Sequence, residues 1–329
     1  MITLSLTPQD FTQVRFAFSP LWEVVASLRV LCAPDRHALY LSWARRTRKV
    51  VPADDLAVLF ALVPGQGYVP DFLTPPPTTP FPDFAAELAL VRTTPSDVVL
   101  RDISEALTAQ PAPDVGSLSR YLSEPEASLA ALTGVLHRYW MLALSDDWPH
   151  LQRVLENDVE MRARTLALHG PEALFNDLHS LVNYEDGVLR VDVKHWDENG
   201  SAAGRGLLLL PSVFAWPDLY VMLQEPWQPT LAYTAWGSAN LWWDEPQAAP
   251  EVARVLLGRR QSVLISLLRA PITTQKLAQQ LRLTPSAVSQ RLVALRSAGL
   301  VTSSRSGRFV WYQLSERGSQ VLRVLSDAE

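Results

Sequence analysis

Between Thr273 and Leu314 the chain carries two short helical patterns, a tight turn and two strand patterns in immediate succession, and no other stretch restricts the fold as strongly. Thr273 is placed to cap a helix whose Leu277, Ala278 and Leu281 face inward. Thr284 and Pro285 then start another helix for two independent reasons. A hydroxyl at the cap position accepts an unpaired backbone N–H, and proline at the first helical position loses no hydrogen bond. In that helix Val288, Leu292 and Leu295 recur at i, i+4 and i+7 and form the inward side. A rotation of about 100° per residue puts Ser286, Ser289, Gln290, Val293 and Ser297 on the opposite side. Gly299 is a natural helix stop. Beyond it, residues 300–304 and 309–314 read as strands joined across Arg305, Ser306, Gly307 and Arg308. An apolar helix is expected over Leu256–Leu268 before this stretch, and a last helix over about 315–325 after it.

That order is a winged helix-turn-helix, with a recognition helix over 285–298 and a wing over 300–314. Short hydroxyls and an amide let a helix enter a major groove closely and hydrogen-bond to base edges. The expected DNA-binding set is therefore Ser286, Ser289 and Gln290 with Arg291 and Arg296 flanking them, Arg305 and Arg308 on the wing, and Thr274, Gln275 and Lys276 at the start of the preceding helix. Arg291 lies close to the inward side, where its stem can also cover the core. Charge supports the same partner. Residues 254–329 hold 12 Lys and Arg against 3 Asp and Glu, a net +9, whereas residues 1–253 hold 17 against 31, a net −14. A basic module on an acidic body attracts phosphate with one end only. The competing class is a protein-interaction module in which the winged helix docks a protein partner and the large domain is the functional body. The first and last helices of the module carry surplus apolar residues, among them Val321, Leu322 and Leu325, that suit a homodimer seam.

The remaining chain is long enough for a second core. The expected fold class is α+β: a mixed helical and antiparallel-sheet domain over 1–250 serving regulation or dimerisation, followed by the DNA-binding domain over 251–329. Ile2–Leu6 alternates as a strand, and Ser19-Pro20 heads a helix over Leu21–Leu31. The proline-rich segment 74–82 reads as a stiff, extended connector. Residues 83–109 and 118–179 have helical spacing, with Leu129, Leu132, Leu136, Tyr139 and Trp140 on one core-facing stripe. Residues 184–245 switch to strands, with turns at Asp186-Gly187 and Asn199-Gly200. No run of about 18 apolar residues is present, so no membrane partner is expected. The first residues lack a basic leader and an apolar h-region, which points to the cytoplasm. Cys32 is the single cysteine and reads as an ordinary buried thiol.

The sequences Ala287-Val288-Ser289-Gln290-Arg291-Leu292 and Leu295-Arg296-Ser297-Ala298-Gly299-Leu300-Val301, followed by Arg305, Gly307-Arg308 and Tyr312-Gln313-Leu314, resemble the ArsR/SmtB winged-helix repressors over about a quarter of the chain. The resemblance implies a DNA-binding regulator, with DNA-reading positions at Ser286, Ser289, Gln290 and Arg291 and wing contacts at Arg305 and Arg308. Arg291 stands where the family often has histidine, and Arg282 where its turn often has glycine. Metal-detecting members use cysteine pairs, or histidine and acidic residues on the last helix. This module has no Cys and no His, which excludes metal sensing through those sites. Ser19–Glu23, Gly67–Pro75 and Leu210–Phe214 are similar to an uncharacterised domain found upstream of such modules in actinobacteria.

Chemistry elsewhere is sparse. Gly65-Gln66-Gly67 lacks the third glycine of a dinucleotide loop, the six histidines show no paired metal spacing, and no nucleophile elbow or P-loop occurs. Neither an enzyme nor a cofactor is expected. Aromatic residues are dense near the end of the large domain, and Trp196, Phe214, Trp216, Tyr220, Tyr233 and Trp236 are candidates to line a pocket for a planar or apolar effector, with a packed core as the competing reading. The function expected is a homodimeric repressor that binds double-stranded DNA at a near-palindromic operator.

Overall fold

The alternation of Ile2–Leu6 becomes a strand in the computed structural model, which describes residues 1–110, 113–179, 181–193, 198–225, 227–241, 264–265, 267–268, 271–281, 283–306, 309–315 and 317–321. Strand β1 (Ile2–Ser5) buries Ile2 and Leu4 and turns Ser5 outward. Helix α1 (Pro8–Phe11) is only one turn long and is held by a capping box between Thr7 and Asp10. Strand β2 (Arg15–Phe16) leads into α2 (Pro20–Cys32), where Ser19 caps as its position requires: its Oγ accepts the Trp22 N–H at 3.0 Å, and Pro20 opens the first turn. Cys32, at the end of α2, is half-buried rather than fully enclosed.

Clustering of contacts divides the chain into unit 1 (Met1–Leu174 and Asn183–Ser238) and unit 2 (Phe175–Val182 and Ala239–Glu329). In unit 1 the helices α3 (Leu41–Val50), α4 (Ala53–Leu62), α5 (Phe84–Arg92), α6 (Ser96–Ala109), α7 (Val115–Ser123) and α8 (Pro125–Ala143) follow one another. The expected stripe Leu129, Leu132, Leu136, Tyr139 and Trp140 is buried on α8, so it is core. Helix α9 (Trp148–Leu178) breaks at Gly170, whose φ of 81° is left-handed, immediately before Pro171.

The strands build two four-stranded sheets in which parallel pairing accompanies the expected antiparallel pairing. One has the order β3 (Val182–Glu185), β4 (Val188–Val191), β1, β5 (Glu198–Ser201). Asp186 and Gly187, both at positive φ, make the tight β3–β4 turn. Asn199-Gly200 is not a turn: both residues pair in β5, parallel to β1. The other sheet has the order β2, β6 (Leu208–Ser212), β8 (Thr230–Thr234), β7 (Tyr220–Met222). Strands β2, β6 and β8 run parallel, and only β7 is antiparallel. The long helical stretch between β2 and β6 is the kind of connection that parallel neighbours need.

Buried carboxylates tie these layers together. Glu23 of α2 accepts the Val213 N–H at 2.7 Å and the Phe214 N–H at 3.3 Å just beyond β6. Glu87 of α5 accepts the Leu21 N–H at 3.0 Å. The proline segment is no free tether, because Pro75 and Pro77 are buried, the Pro80 carbonyl accepts the Phe18 N–H, and the Phe81 ring lies 5.0 Å from Phe18. Its extended shape follows from proline chemistry, and its place comes from packing. Beyond β8 the chain enters a short turn of helix, α10 (Ser238–Leu241).

In unit 2, β9 (Ile272–Thr273), α11 (Thr274–Leu281), α12 (Pro285–Ser297), β10 (Val301–Ser306) and β11 (Phe309–Leu314) enclose a core of Leu264, Leu268, Ile272, Leu277, Ala278, Val288, Leu292 and Val301. Most of the expected helix over Leu256–Leu268 and the end of the last helix lie outside the described residues; residues 317–321 are helical.

Candidate nucleic-acid interface

Two threonines set the geometry of the helix-turn-helix. Thr273 Oγ1 accepts the Lys276 N–H at 3.3 Å, and Thr284 Oγ1 accepts the Ala287 N–H at 3.3 Å with Pro285 opening the first turn of α12. Each hydroxyl satisfies one of the backbone donors that a helix start leaves unpaired. Val288 and Leu292 then anchor α12 at 0% exposure, with Leu295 packed beside them. The side that points away carries the predicted stripe. Ser286, Gln290, Val293 and Ser297 are exposed and Ser289 is half-buried. Val293, 50% exposed, gives this polar stripe one apolar contact of the kind that suits a thymine methyl.

The flanking residues separate into three situations. Arg296 is exposed and its Nη1 donates to Ser303 Oγ of the wing at 3.3 Å, so one side chain spans recognition helix and wing. Sequence reasoning placed Arg296 correctly beside the stripe but missed Ser303, because only pairing of the hairpin brings β10 alongside. Arg291 is half-buried and its Nη1 is enclosed, with no hydrogen-bond partner among the described residues. On α11, Gln275 and Lys276 are exposed and Thr274 is half-buried.

The wing is longer than the sequence pattern suggests. Its ladder runs from Val301↔Leu314 to Ser306↔Phe309, so Arg305 and Ser306 are strand residues and not part of the connection. The Arg305 side chain and Arg308 lie outside the described residues. Strand β11 also pairs with β9, Tyr312 opposite Ile272 and Trp311 opposite Thr273, which joins the wing to the start of α11 as one sheet.

The arrangement is thus a rigid helix edged with hydroxyls and an amide, fixed to a hairpin within a strongly basic segment. A family model described as "Bacterial regulatory protein, arsR family" matches residues 259–303. The HTH-type transcriptional regulator NmtR of Mycobacterium tuberculosis strain H37Rv is 34% identical over 88 residues, which cover 26% of this chain and 72% of that protein. The chain belongs to the arsR family. It is a DNA-binding transcriptional regulator. Residues 96–238 match a second model, "Family of unknown function (DUF5937)", so this arsR-family protein carries an uncharacterised domain upstream of its winged helix, as the sequence resemblance implied. No solved structure gives a significant match to the chain. Among the described residues, no helix is long and apolar enough to cross a membrane.

The aromatic residues singled out in unit 1 have distinct surroundings among the described residues. Phe214, at 0% exposure, packs against Tyr40 and Trp43 with ring centroids 5.3 and 4.6 Å away. Tyr233 is equally buried, and its hydroxyl donates to Asp158 Oδ2 at 2.6 Å. Trp236 is 44% exposed and its backbone N–H donates to the same carboxylate at 2.8 Å. Tyr220 sits beneath the Arg29 guanidinium at 5.4 Å, while the Trp216 carbonyl faces His37 Nδ1 at 3.1 Å. Trp196 lies outside the described residues. Of these residues Phe214 and Tyr233 are buried in the core of unit 1, whereas Trp236 is partly exposed.

Proposed function

We propose that this arsR-family protein is a homodimeric repressor. Each subunit lays α12 in one of two successive major grooves, about one helical turn apart, on a near-palindromic operator. The observation that carries this reading is the stripe of exposed Ser286, Gln290, Val293 and Ser297 with half-buried Ser289, opposite a fully buried Val288 and Leu292. Small polar side chains permit close approach, and Gln290 supplies the amide for base edges. Arg296, with Arg305 and Arg308 of the wing and Lys276 of α11, supplies phosphate contacts that orient the helix, and Arg291 lies at the stripe's edge. Thr274 and Gln275 face the backbone on the other side of the groove. Residues 1–250 serve dimerisation and response to a small-molecule effector, and residues 251–329 serve DNA binding. The protein acts in the cytoplasm and has no catalytic role.

Selection of genomic fragments bound by the full chain, followed by footprinting, tests the reading. The expected product is a two-fold-related site with half-sites about 10 bp apart, whose occupancy lowers expression of an adjacent reporter. A single asymmetric footprint, absence of enrichment, or reporter activation would overturn it.

A further inference from the structure

A cleft of about 640 Å³ in unit 1 is lined by Thr12, Gln13, Val14, Arg15, Arg205 and Gln228. It opens where the parallel strands β2, β6 and β8 begin: Arg15 is the first residue of β2, Arg205 lies three residues before β6 and Gln228 two before β8. Residues almost two hundred positions apart therefore meet at one end of the sheet.

Arg15 is half-buried in this cleft, and everything it touches is neutral. Its Nε and Nη2 donate to Gln228 Oε1 at 3.0 and 2.7 Å, and Nη2 donates to the Pro77 carbonyl at 2.8 Å. Among the described residues, its Nη1 has no hydrogen-bond partner and no carboxylate forms an ion pair with it. Three guanidiniums of unit 1 do have a carboxylate partner: Arg101 has Asp102 at 2.8 Å, Arg138 has Asp55 at 2.7 Å and Arg162 has Asp158 at 3.6 Å. Burial lowers the pKa of Arg15 from its ordinary value, with no acidic neighbour opposing it. Taking a guanidinium partly out of water costs free energy that a counter-charge would offset.

The second cation is held just as firmly. Arg205 Nη1 donates to the Trp227 carbonyl at 3.1 Å and its Nε to the Ala202 carbonyl at 3.2 Å. Its ion pair with Glu225 spans 3.9 Å to a side chain that is 84% exposed, a rim contact of little strength. Gln228 joins the two arginines, since its Oε1 takes Arg15 while its Nε2 donates to the Arg205 carbonyl at 2.9 Å. Asp10, the buried acid of this loop, is committed elsewhere: it accepts from Thr7, from the Gly204 N–H at 2.8 Å and from the Gly206 N–H at 3.1 Å, and so clamps the loop on both sides of Arg205. A Cβ at Gly206 would lie 2.5 Å from the Gln13 carbonyl oxygen, so the wall of the cleft is closely packed at that point.

We propose that this cleft is a binding site for a small oxyanion, a carboxylate or phosphate group that supplies the counter-charge missing from Arg15 and that Arg205, whose ion pair with Glu225 is a weak rim contact, also receives. Planar guanidinium forks match both groups, and a site preorganised by a neutral amide loses little on binding. The test is calorimetric titration of the full chain with inorganic phosphate and, separately, with citrate, each against sodium chloride of matched ionic strength. A saturable heat with at least one probe is expected, and the probe that gives it identifies the oxyanion class. Gln228→Glu lays a carboxylate on Arg15 in nearly the same volume; it should weaken binding more than tenfold while the thermal midpoint stays level or rises. Arg15→Gln and Arg205→Gln should weaken binding to a similar extent. Absence of saturable heat with both probes, or heat that survives in Gln228→Glu and in whichever arginine variant remains folded, would overturn the proposal.

Discussion

Gln290→Ala isolates base reading from every other contribution to DNA binding. Gln290 is exposed, and among the described residues its side chain makes no hydrogen bond within the protein. Alanine is the best helix former, so α12 retains its conformation and the thermal midpoint should not fall. The Thr284 cap and the buried Val288 and Leu292, which orient the helix, are untouched. What disappears is one amide, able to donate and accept at once against a base edge. A good bidentate pair of this kind discriminates by about 1–3 kcal/mol, which corresponds to roughly a 5- to 150-fold loss at the cognate base pair. Because glutamine is neutral, the slope of log affinity against log salt should remain that of the wild type. Fluorescence anisotropy on the selected operator, and on variants of it at each position, over several salt concentrations, reads all three quantities. Unchanged affinity and unchanged base preference would refute the placement of this face in the groove. A changed salt slope would refute the assignment of phosphate contacts to the arginines.

Arg296→Ala should weaken binding on all sequences alike and reduce the salt slope by about 1; the Arg296–Ser303 hydrogen bond is exposed and 3.3 Å long, so chemical denaturation should register little change. Asp158→Asn removes the carboxylate charge beside Arg162 and leaves one acceptor oxygen where two took hydrogen bonds from Tyr233 and Trp236, in a site where both charged side chains are at most 4% exposed, and a loss of about 3–5 kcal/mol in denaturant unfolding is expected; a loss under about 1 kcal/mol would contradict the reading of this network. Glu23 is pushed up to about 8, chiefly by burial, with hydrogen bonds from Val213, Ser212 and Phe214 only partly opposing the shift. A carboxyl whose pKa is raised on folding favours the folded state while it is protonated, and that contribution is lost as pH rises from the ordinary carboxylate range through about 8. Thermal midpoints should therefore fall between pH 5 and 8 and fall less in Glu23→Gln; a difference between the two proteins that is constant with pH would show that Glu23 does not titrate in this range.

Local chemistry wrote much of this molecule in advance. The starts of α2, α11 and α12 were legible because Ser19, Thr273, Thr284 and the two following prolines act on their own backbone within three residues. The stripe of α12 was legible because a helix repeats its faces every few residues. The β3–β4 turn at Asp186-Gly187 was legible for the same local reason. Asn199-Gly200 carries an equally good turn signal, yet it pairs in β5, since β1 lies beside it and offers a ladder that outweighs local preference.

The sequence by itself therefore determined the winged helix, the polar stripe of α12 and the basic charge, all features governed by neighbours along the chain. Tertiary structure alone decided that the proline segment packs as wall, that Phe214 and Tyr233 are core, that Arg296 meets Ser303, and that Arg15 meets Gln228 beside Arg205. Parallel sheet pairing joins residues far apart in the chain, and no periodicity in a linear sequence encodes which distant strand becomes the neighbour.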